Sequence, residues 1–400
     1  MPDAVIVATG RTPIGRANKG SLVGCRPDDL AALVIREVLA KVPQLDPGRV
    51  EDVMVGCGQP AGEAGYNVAR VAAILAGVDV PGVTVNRYCS SSLQTIRMAT
   101  HAIRAGEGDV FVAAGVETVS RFQFGASDTG PHNPAFAASE ARTAARTPGV
   151  TDPWSAPPGY PDVYISMGQT AENVAEYEKV GRDEMDEFAA RSQNLAVESQ
   201  HNGFFEREIV PVTLEDGTVV SKDDGPRPDT TVEVLSQLKP VFRQGGTVTA
   251  GNACPLNDGA AAVVVMSDTL ASTLGITPLA RVVSSGVSAL DPEIMGLGPV
   301  EACRQALKRA GKTIDDIDLV EINEAFAAQV IPSARHLGIE WGKLNTRGGA
   351  IALGHPFGMT GARIMTTLLN ALEDDDKTWG LESMCVGGGQ GMAMVVERLS

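Results

Sequence analysis

Short apolar runs bounded by Gly or Asp alternate along the chain with segments of helical periodicity. Such runs predict buried strands, at residues 4–8, 52–56, 110–114, 260–266, 319–322 and 392–396. Apolar positions recur with a helical period in residues 28–41, 91–104 and 300–310. Strands that alternate with helices indicate an α/β fold with a largely parallel sheet, covered by helices on its faces.

The two ends of the chain carry similar patterns. In the first part, the helix at 28–41 is followed by the segments NRYCSSSLQTIRMATHAIRAG and DVFVAAG. In the second part, the helix at 300–310 is followed by GHPFGMTGARIMTTLLNAL and LESMCVGGG. We interpret this repetition as two similar α/β halves that pack together. The alternative is that any two strand–helix units share such a pattern.

A region of different character separates the two halves. Residues 126–161 are rich in Pro, Gly, Ala and Ser and lack clear periodicity, whereas residues 170–201 are strongly helical. Long segments without regular structure in a compact protein are usually functional or disordered. We therefore expect an inserted loop domain at 120–248 that covers the active site. The two halves are then residues 1–119 with 249–275, and residues 276–400.

Composition narrows the classes of function. The chain has 400 residues and a formal net charge of −16, which argues against non-specific binding to nucleic acid or to an anionic membrane. No stretch reaches 18 apolar residues, and no signal or transit peptide is visible at the N-terminus. Six cysteines occur without a C-x-x-C pair or a histidine at zinc spacing, which predicts a reduced, cytoplasmic protein without a metal site.

Cys89 is a candidate nucleophile. It lies in VNRYCSSSLQTIRMA, between a strand-like segment and a predicted helix. At a helix N-terminus the dipole and the free N–H groups stabilise a thiolate, so we expect a lowered thiol pKa. The small residues Ser90 to Ser92 leave room for a substrate. The alternative is a small buried cysteine without chemistry.

Two further motifs carry candidate acid–base groups. His355 lies in GGAIALGHPFGMTGAR, where many glycines allow close approach to a ligand, and it could deprotonate a thiol. Cys385 lies in SMCVGGGQGMA, where an apolar strand runs into a triple glycine. Backbone N–H groups there could hold an oxyanion, and the second thiol could serve as acid or base.

A fourth motif, EINEAFAAQ, carries Asn323 and Glu324 at a strand end. Asn323 could hold a water molecule or the ligand, and Glu324 could orient the histidine. The alternative for Glu324 is a carboxylate that complements a helix N-terminus.

Taken together, the segments resemble the thiolase family. VNRYCSSSLQ is similar to its nucleophile motif, and NEAFAAQ, GGAIALGHPFGMTGAR and CVGGGQG are similar to its C-terminal motifs. VIVATGRTPIGRANKGSL, MGQTAENVAE and TAGNACPLNDGAAAV also fit, so the resemblance covers essentially the whole chain. It implies the thiolase fold, in which two five-stranded halves form an α/β/α/β/α layering with an inserted loop domain.

The resemblance also implies a chemistry. His355 activates Cys89, which takes the acyl group from a 3-ketoacyl-CoA, and Cys385 protonates the departing acetyl-CoA carbanion. Backbone N–H groups of Cys89 and Gly387 serve one oxyanion, and His355 with a water held by Asn323 serves the other. Coenzyme A and acyl-CoA are substrates, no cofactor is bound permanently, and the expected assembly is a homodimer or homotetramer.

The resemblance also implies which residues of this chain bind coenzyme A and the acyl group. Arg227 in GPRPDT matches the arginine that packs on the adenine, although a surface loop arginine remains the alternative. Three positions match residues that line the acyl and pantetheine pocket, with ordinary core as the alternative, namely Met167, Met295 and Phe326.

Two departures from the family pattern bear on specificity. Cys254 replaces the usual serine that bonds the pantetheine, and a thiol is the weaker partner. Ser166 stands where acetoacetyl-CoA-specific members tend to carry histidine. With NRYCSSS, this favours a degradative 3-ketoacyl-CoA thiolase over a biosynthetic acetyl-CoA acetyltransferase.

Two other classes of protein are alternatives to a thiolase. A ketoacyl synthase shares the fold but uses a cysteine with two histidines, whereas here the third position is Cys385. An inactive thiolase-like protein that binds lipid or CoA would be expected to lose Cys89, His355 or Cys385, and all three are present.

Overall fold

The computed structural model describes residues 2–122, 130–149 and 152–400. The strands of these residues, numbered β1 to β12, are Ala4–Arg11, Gly15–Arg16, Asp52–Gly56, Gly82–Val85, Val110–Thr118, Val212–Thr213, Val219–Val220, Asn257–Ser267, Ala280–Ala289, Leu319–Ile322, Trp379–Val386 and Gln390–Arg398. The helices, numbered α1 to α12, are Pro27–Ala40, Val68–Leu75, Ser91–Ala105, Ala137–Arg146, Met167–Glu178, Arg182–His201, Val232–Ser236, Asp268–Leu274, Gly298–Ala310, Ala327–Leu337, Ala350–Leu353 and Thr360–Asp374. Each strand and helix predicted from the apolar pattern overlaps one of these elements.

The main sheet contains two arrays that meet at one short contact. Its order is β10-β11-β12-β9-β1-β8-β5-β3-β4, with β2 beside β8. The arrays join where Val5 and Ile6 of β1 pair with Arg281 and Ala280 of β9. The two halves predicted from the repeated sequence pattern therefore form the two sides of this junction.

The strand pattern repeats in the two halves. In the first, β3 pairs in parallel with β4 and β5, and β8 is antiparallel to β5 and β1. In the second, β10 and β11 are parallel, and β12 is antiparallel to β11 and β9. The expectation of a largely parallel sheet was wrong, because only the pairs β3–β4, β3–β5 and β10–β11 are parallel. Strands β8 and β12 each run antiparallel to the strands on both sides, and β1 is antiparallel to β9. The second half has four strands rather than five among the described residues, and a single bridge between Val320 and Leu344 takes the place of the fifth.

Three hydrophobic clusters separate the helices into layers. One packs α1 and α2 against the first array, one surrounds α3 and α12 between the arrays, and one packs α9 and α10 against the second. Alternate residues of a strand enter different clusters, because successive side chains point to opposite faces of a sheet. In β1, Val5 and Val7 face the outer cluster, and Ala4 and Ile6 face the central one. The result is the five-layered α/β/α/β/α arrangement.

The two central helices lie side by side at very close range. A Cβ at Gly361 of α12 would lie 2.3 Å from the backbone N of Leu93 in α3. The backbone N–H of Ala362 donates to Ser92 Oγ at 2.9 Å, which fixes the two helix starts together. Cys89 and His355 each lie just before one of these helices, so the contact determines their relative positions.

The region between the halves contributes helices and a small ribbon. Helices α4 to α7 and the two-stranded β6–β7 ribbon belong to it, and among described residues it adds no strand to the main sheet. The predicted helical segment 170–201 falls on α5 and α6. Residues 126–129 and 150–151 of the predicted irregular segment lie outside the described residues. No helix in the described ranges has the length and apolar character needed to cross a membrane.

Candidate active site

Cys89 occupies a tight turn at the start of α3. The 3-10 turn Tyr88–Ser90 precedes the helix, and Tyr88 has a left-handed φ of 41°. A non-glycine residue in this region is strained and needs support from its surroundings. Asn86 Oδ1 accepts from the backbone N–H of Tyr88 at 2.8 Å, and Ser91 Oγ donates to the carbonyl of Tyr88 at 2.7 Å. The turn is thereby fixed with its thiol at the helix start, as predicted.

The expected lowering of the Cys89 thiol pKa was wrong in its net direction. Burial raises the pKa to about 11, although the N–H groups of Gly387 and of Cys89 itself act to lower it. Only 8% of Cys89 is exposed, so removal of water from the thiolate outweighs the helix N-terminus. At neutral pH the free protein therefore holds Cys89 as a thiol that needs a base.

Cys89 lies on the wall of a cavity of about 470 Å³. The wall also includes Met167 from the start of α5, Phe357 from the loop before α12, and Gly387 from the loop after β11. Both halves and the intervening region thus contribute to one cleft. Its volume lies within the range typical of small-molecule sites.

His355 is held from both sides by residues that carry no signal of their own in the sequence. Its backbone N–H donates to Asn257 Oδ1 at 3.0 Å, and its Nδ1 lies 2.6 Å from Thr360 Oγ1. The Thr360 hydroxyl donates to the carbonyl of Pro356 at 2.8 Å, so this oxygen accepts from His355 Nδ1–H. The neutral ring then carries its lone pair on Nε2, which is the form required of a base.

The protonation state of His355 supports the same assignment. Burial lowers its pKa to about 3, and the positive charge of Arg363 lowers it further. The imidazole is therefore neutral throughout the physiological range. Phe357 packs edge-on against the His355 ring at 5.2 Å between centroids, which links the histidine to the cavity wall.

Asn323 directs its amide at the histidine. Its Nδ2 donates to His355 Nε2 at 3.3 Å, and the side chain is buried. Gln329 Nε2 donates to the carbonyl of Asn323 at 2.6 Å and fixes its backbone. Asn323 Oδ1 is buried and accepts from no group among the described residues. This side chain is therefore placed to bind a ligand beside His355.

Cys385 and Gly387 lie at the end of β11. Cys385 is fully buried, and burial followed by the neighbouring thiols Cys89 and Cys254 raises its pKa well above the usual value. Gly388 and Gly389 have φ values of 78° and 79°, which glycine adopts without strain. This turn aims the N–H of Gly387 at the Cys89 sulfur.

Glu324 does not orient His355, contrary to the expectation. Its carboxylate accepts from Ser192 Oγ at 2.6 Å, Asn345 Nδ2 at 2.8 Å and the N–H of Ile351 at 3.1 Å. These contacts fix α6 and the start of α11 against β10. The alternative, a carboxylate at a helix N-terminus, describes it better, although the helix is α11 rather than its own.

The residues expected to line the acyl and pantetheine pocket divide into two groups. Met167 lies on the cavity wall, with its sulfur 3.7 Å from where a Cβ of Gly387 would be. Met295 and Phe326 are buried in the outer cluster of the second half. Cys254 is partly exposed, its N–H donates to the carbonyl of Ala325 at 3.0 Å, and burial followed by the neighbouring Cys89 raises its pKa.

Arg227 lies at an exposed position on the loop that packs against α11. Its backbone N–H donates to Gln193 Oε1 at 2.9 Å, whereas its guanidinium forms no ion pair with the described residues. Partial burial and then the positive charge of Arg16 lower its pKa. Two cations thus face one region of an otherwise acidic protein.

The two residues that fix the tautomer and the backbone position of His355 were not predicted from the sequence. Thr360 lies five residues after the histidine, and Asn257 lies almost a hundred residues before it. Neither residue type is distinctive, and only the fold brings Asn257 to the loop. Among the described residues, no cluster of His, Cys, Asp and Glu has metal-binding geometry.

Comparisons with known proteins point to one family. The thiolase N-terminal domain model matches residues 4–269, and the thiolase C-terminal domain model matches residues 276–398. A 3-ketoacyl-CoA thiolase of Aeromonas hydrophila and a beta-ketoadipyl-CoA thiolase of Escherichia coli are each 44% identical to this chain, over 100% of both chains.

Solved structures agree with these relatives. The dimeric peroxisomal thiolase of Saccharomyces cerevisiae superposes with a TM-score of 0.89 at 36% identity, over 99% of this chain and 97% of that one. The acetyl-CoA acetyltransferase of Bacillus anthracis superposes with a TM-score of 0.86 at 39% identity, over 100% and 99%.

Proposed function

Because the chain belongs to the thiolase family, we propose that it transfers acyl groups between coenzyme A thioesters through an acyl-Cys89 intermediate. The reaction is the thiolytic cleavage of a 3-ketoacyl-CoA to acetyl-CoA and a shortened acyl-CoA, and its reversal is a Claisen condensation. The observation that carries the proposal is the cleft itself. In it Cys89 lies beside the N–H of Gly387, and the wall includes Phe357, two residues after His355, and Gly387, two residues after Cys385.

The first step is acylation of the nucleophile. His355 Nε2 takes the thiol proton as Cys89 Sγ attacks the keto carbon of the substrate. The carbonyl oxygen becomes an oxyanion and accepts from the N–H groups of Cys89 and Gly387. One such donor typically lowers the barrier by about 2.7–4 kcal/mol. Because the thiol pKa is high and the imidazole pKa is low, the thiolate does not accumulate and proton transfer accompanies the attack.

The second step breaks the carbon–carbon bond. The tetrahedral intermediate collapses, the acyl group stays on Cys89, and the electron pair of the Cα–Cβ bond passes to the thioester enolate. The protonated His355 and a water held by Asn323 are proposed to stabilise the enolate oxygen. Cys385 gives its proton to the α carbon, and acetyl-CoA leaves.

The third step regenerates the nucleophile. The Cys385 thiolate takes the proton of an incoming CoA thiol, and the resulting CoA thiolate attacks the acyl-Cys89 carbonyl. The raised pKa of Cys385 makes its thiolate a strong base. Cys89 leaves as a thiolate and recovers its proton from His355.

A substrate longer than acetoacetyl-CoA is the better fit to the cavity. Its wall carries aromatic rings from Tyr88, Tyr164 and Phe357, which offer apolar contacts to a longer acyl chain. Ser166 also lies on this wall, at the position where the family pattern suggested histidine for acetoacetyl-CoA enzymes. These features favour a 3-ketoacyl-CoA thiolase in fatty acid degradation over a biosynthetic acetyl-CoA acetyltransferase.

Coenzyme A is proposed to enter over the loop that carries Arg227. The exposed guanidinium, with Arg16 nearby, supplies positive charge for an adenine nucleotide on a protein of net charge −16. Met167 lies on the cavity wall and Cys254 lies near Cys89, and both are proposed to contact the pantetheine. Met295 and Phe326 support that wall from the core.

The proposed assembly is a homodimer or a dimer of dimers in the cytoplasm. Strand β4 forms an open end of the main sheet, and adjacent apolar side chains are exposed, with Tyr66 at 86%, Ile74 at 57% and Leu75 at 47%. An open strand edge beside apolar surface is typical of a subunit interface. Light scattering coupled to size-exclusion chromatography tests this assembly.

Mass spectrometry after mixing with acetyl-CoA tests the catalytic assignment. We expect wild type to gain one acetyl group on Cys89 and Cys89→Ala to gain none. Cys385→Ala should be acetylated more slowly, because the departing CoA thiolate loses its proton donor, and it should not condense two acetyl units, because no base removes the α proton. If wild type is not acylated by acyl-CoA of any chain length, the inactive binding protein is the better description. Thiolysis rates confined to acetoacetyl-CoA would contradict the degradative assignment.

A further inference from the structure

A buried carboxylate that the proposed mechanism does not use lies behind the cavity wall. Glu117 is near the end of β5, and only 1% of it is exposed. We propose that ionised Glu117 is a positioning residue that holds the loop His355–Gly358 against the turn Cys57–Gln59. This inference rests on the proposed function, because the loop matters only if His355 and Phe357 act at Cys89.

Four donors surround the carboxylate. Oε2 accepts from the N–H of Gly58 at 2.8 Å and from the N–H of Gly358 at 2.9 Å. Oε1 accepts from the N–H of Gln59 at 3.2 Å and from the Cys57 thiol at 3.5 Å. Gly58 and Gln59 belong to the first half and Gly358 to the second, so one side chain joins the two halves at the active site.

The joined segments form part of the cavity wall. Gln59 and Phe357 both line the cavity that contains Cys89, and Phe357 packs on the His355 ring. The packing is tight, since a Cβ at Gly358 would lie 2.3 Å from the carbonyl oxygen of Val116. The loop therefore has one well-defined position while the carboxylate accepts from Gly358.

The charged form offers the strongest acceptor to the three backbone N–H groups. An amide would direct a hydrogen at one of the backbone N–H groups, and the hydrogen of a protonated carboxyl group would find only the Cys57 sulfur, a weak acceptor. Burial opposes the charge and raises the Glu117 pKa to about 7, whereas the three N–H groups act to lower it. A change from charged to neutral near neutral pH would thus weaken the hydrogen bond from Gly358 that holds the loop.

The other titratable and charged groups around Glu117 are few. Cys57 lies on the turn and Cys89 on the nucleophile segment, and Glu63 and Arg121 line a small adjoining cavity and pair with each other. The pKa of Cys57 is raised well above its usual value, that of Cys89 to about 11 and that of His355 lowered to about 3. None of these three titrates near neutral pH.

The test is the pH dependence of Cys89 acetylation by acetyl-CoA in a single turnover, followed by mass spectrometry. This half-reaction avoids titration of a CoA thiol nucleophile. In wild type we expect the rate constant to fall as the pH drops from about 8 to 5.5, with an apparent pKa near 7. A rate constant that stays flat across this range would overturn the proposal.

Variants separate positioning from folding. Glu117→Gln should lower the rate constant about 10- to 100-fold at pH 8, because small displacements of reacting groups cost this much. It should also abolish the acid limb, while the acetyl-CoA concentration for half-maximal rate changes by less than about twofold. Glu117→Asp, which keeps the charge, should recover part of the rate and keep an acid limb.

Glu172→Gln is the matched control. Glu172 is equally buried and accepts from the N–H groups of Thr247 and Val248, away from the cavity wall. It should keep the acid limb of wild type. A Glu117→Gln protein that folds, as judged by circular dichroism, and acetylates at the wild-type rate contradicts the proposal. If Glu117→Gln does not fold, the pH dependence of acetylation in wild type tests the proposal by itself. Failure of the proposed function is distinct, since wild type would then not be acetylated at any pH.

Discussion

Burial acts in opposite directions on the two groups that meet at the nucleophile. It raises the thiol pKa of Cys89 to about 11 and lowers the imidazole pKa of His355 to about 3. In both cases the neutral form is favoured, because charge is costly away from water. The resting protein thus holds a thiol and a neutral base, and charge develops only during acylation, on the His355 imidazolium and on the substrate oxyanion that accepts from the N–H donors.

Thr360 determines which nitrogen of His355 is the base. Thr360→Val removes the oxygen that accepts from Nδ1–H and allows the proton to move to Nε2, where it blocks proton uptake. We expect the rate constant for Cys89 acetylation to fall about 10- to 100-fold. Rapid-quench mass spectrometry with acetyl-CoA measures this change.

Thr366→Val is the control for the threonine variant. Thr366 is also buried on α12 and donates to the carbonyl four residues before it, Ala362, at 2.8 Å. Thr360 makes the same bond to Pro356, but only Thr360 contacts the histidine. Equal loss of rate in the two variants would mean that helix packing, rather than the histidine tautomer, accounts for the effect.

Among the elements, the contact between α3 and α12 positions the site. Each helix starts just after one catalytic segment, and Ser92 accepts from the N–H of Ala362 between them. This close approach of the two backbones requires glycine at position 361, because a Cβ there would lie 2.3 Å from the backbone N of Leu93. Alanine normally favours a helix over glycine by about 1 kcal/mol, but here packing works against it.

Gly361→Ala is therefore expected to lower the free energy of unfolding by about 2 kcal/mol, the usual cost of added volume in a tight core. Chemical denaturation followed by circular dichroism measures it. Gly342→Ala is the control, because Gly342 is exposed and a Cβ there meets no atom within 4 Å. Its effect should stay within about 0.5 kcal/mol. An unchanged or raised stability in Gly361→Ala would show that the helices can separate.

At the scale of the whole molecule, ionisable side chains lie buried between the second array of strands and helix α12. Glu321 of β10 and Glu382 of β11 are partners in the register, and Arg363 of α12 faces them. Burial raises the pKa of Glu321 to about 8 and that of Glu382 well above its usual value, against the attraction of Arg363. The structure therefore favours the protonated form of these two carboxyl groups.

The sign of the resulting pH dependence follows from linkage. Unfolded glutamate titrates near pH 4.3, so the folded state binds more protons than the unfolded state from about pH 4 to 8. Stability from these groups is present at low pH and is lost as the pH rises through the folded pKa. Glu382→Gln removes one titration, so we expect it to raise the midpoint of thermal unfolding at pH 8 and to have a smaller effect near pH 5.

Scanning calorimetry at the two pH values measures this difference. Glu397→Gln is the control, since Glu397 is a partly exposed residue of β12 that pairs with Arg281. A partly exposed pair contributes about 0–1 kcal/mol, so its loss should change the midpoint little at either pH. A lower midpoint for Glu382→Gln at pH 8 would mean that the charged carboxylate stabilises the protein.

The element pattern was predictable because it depends on local rules. Apolar runs located the strands β1, β3, β5 and β10, and the repeat along the chain indicated two halves. The five strands that the family resemblance implied for the second half were wrong by one among the described residues, where a single bridge at Leu344 replaces the fifth strand. The role predicted for Glu324, orienting His355, was also wrong. Its carboxylate follows Asn323 in the sequence but accepts hydrogen bonds from Ser192 and Ile351.

The sequence by itself determined the residue types with chemical potential and their order, because motifs such as VNRYCSSSL and CVGGGQG are local. Tertiary structure alone decided how those groups behave. The pKa of Cys89 depends on burial, and the tautomer of His355 depends on Thr360 and the ring's surroundings. The position of the loop His355–Gly358 depends on Glu117 from the other half. Solvation and hydrogen-bond partners arise from chain segments that are distant in sequence, and only the folded molecule brings these segments together.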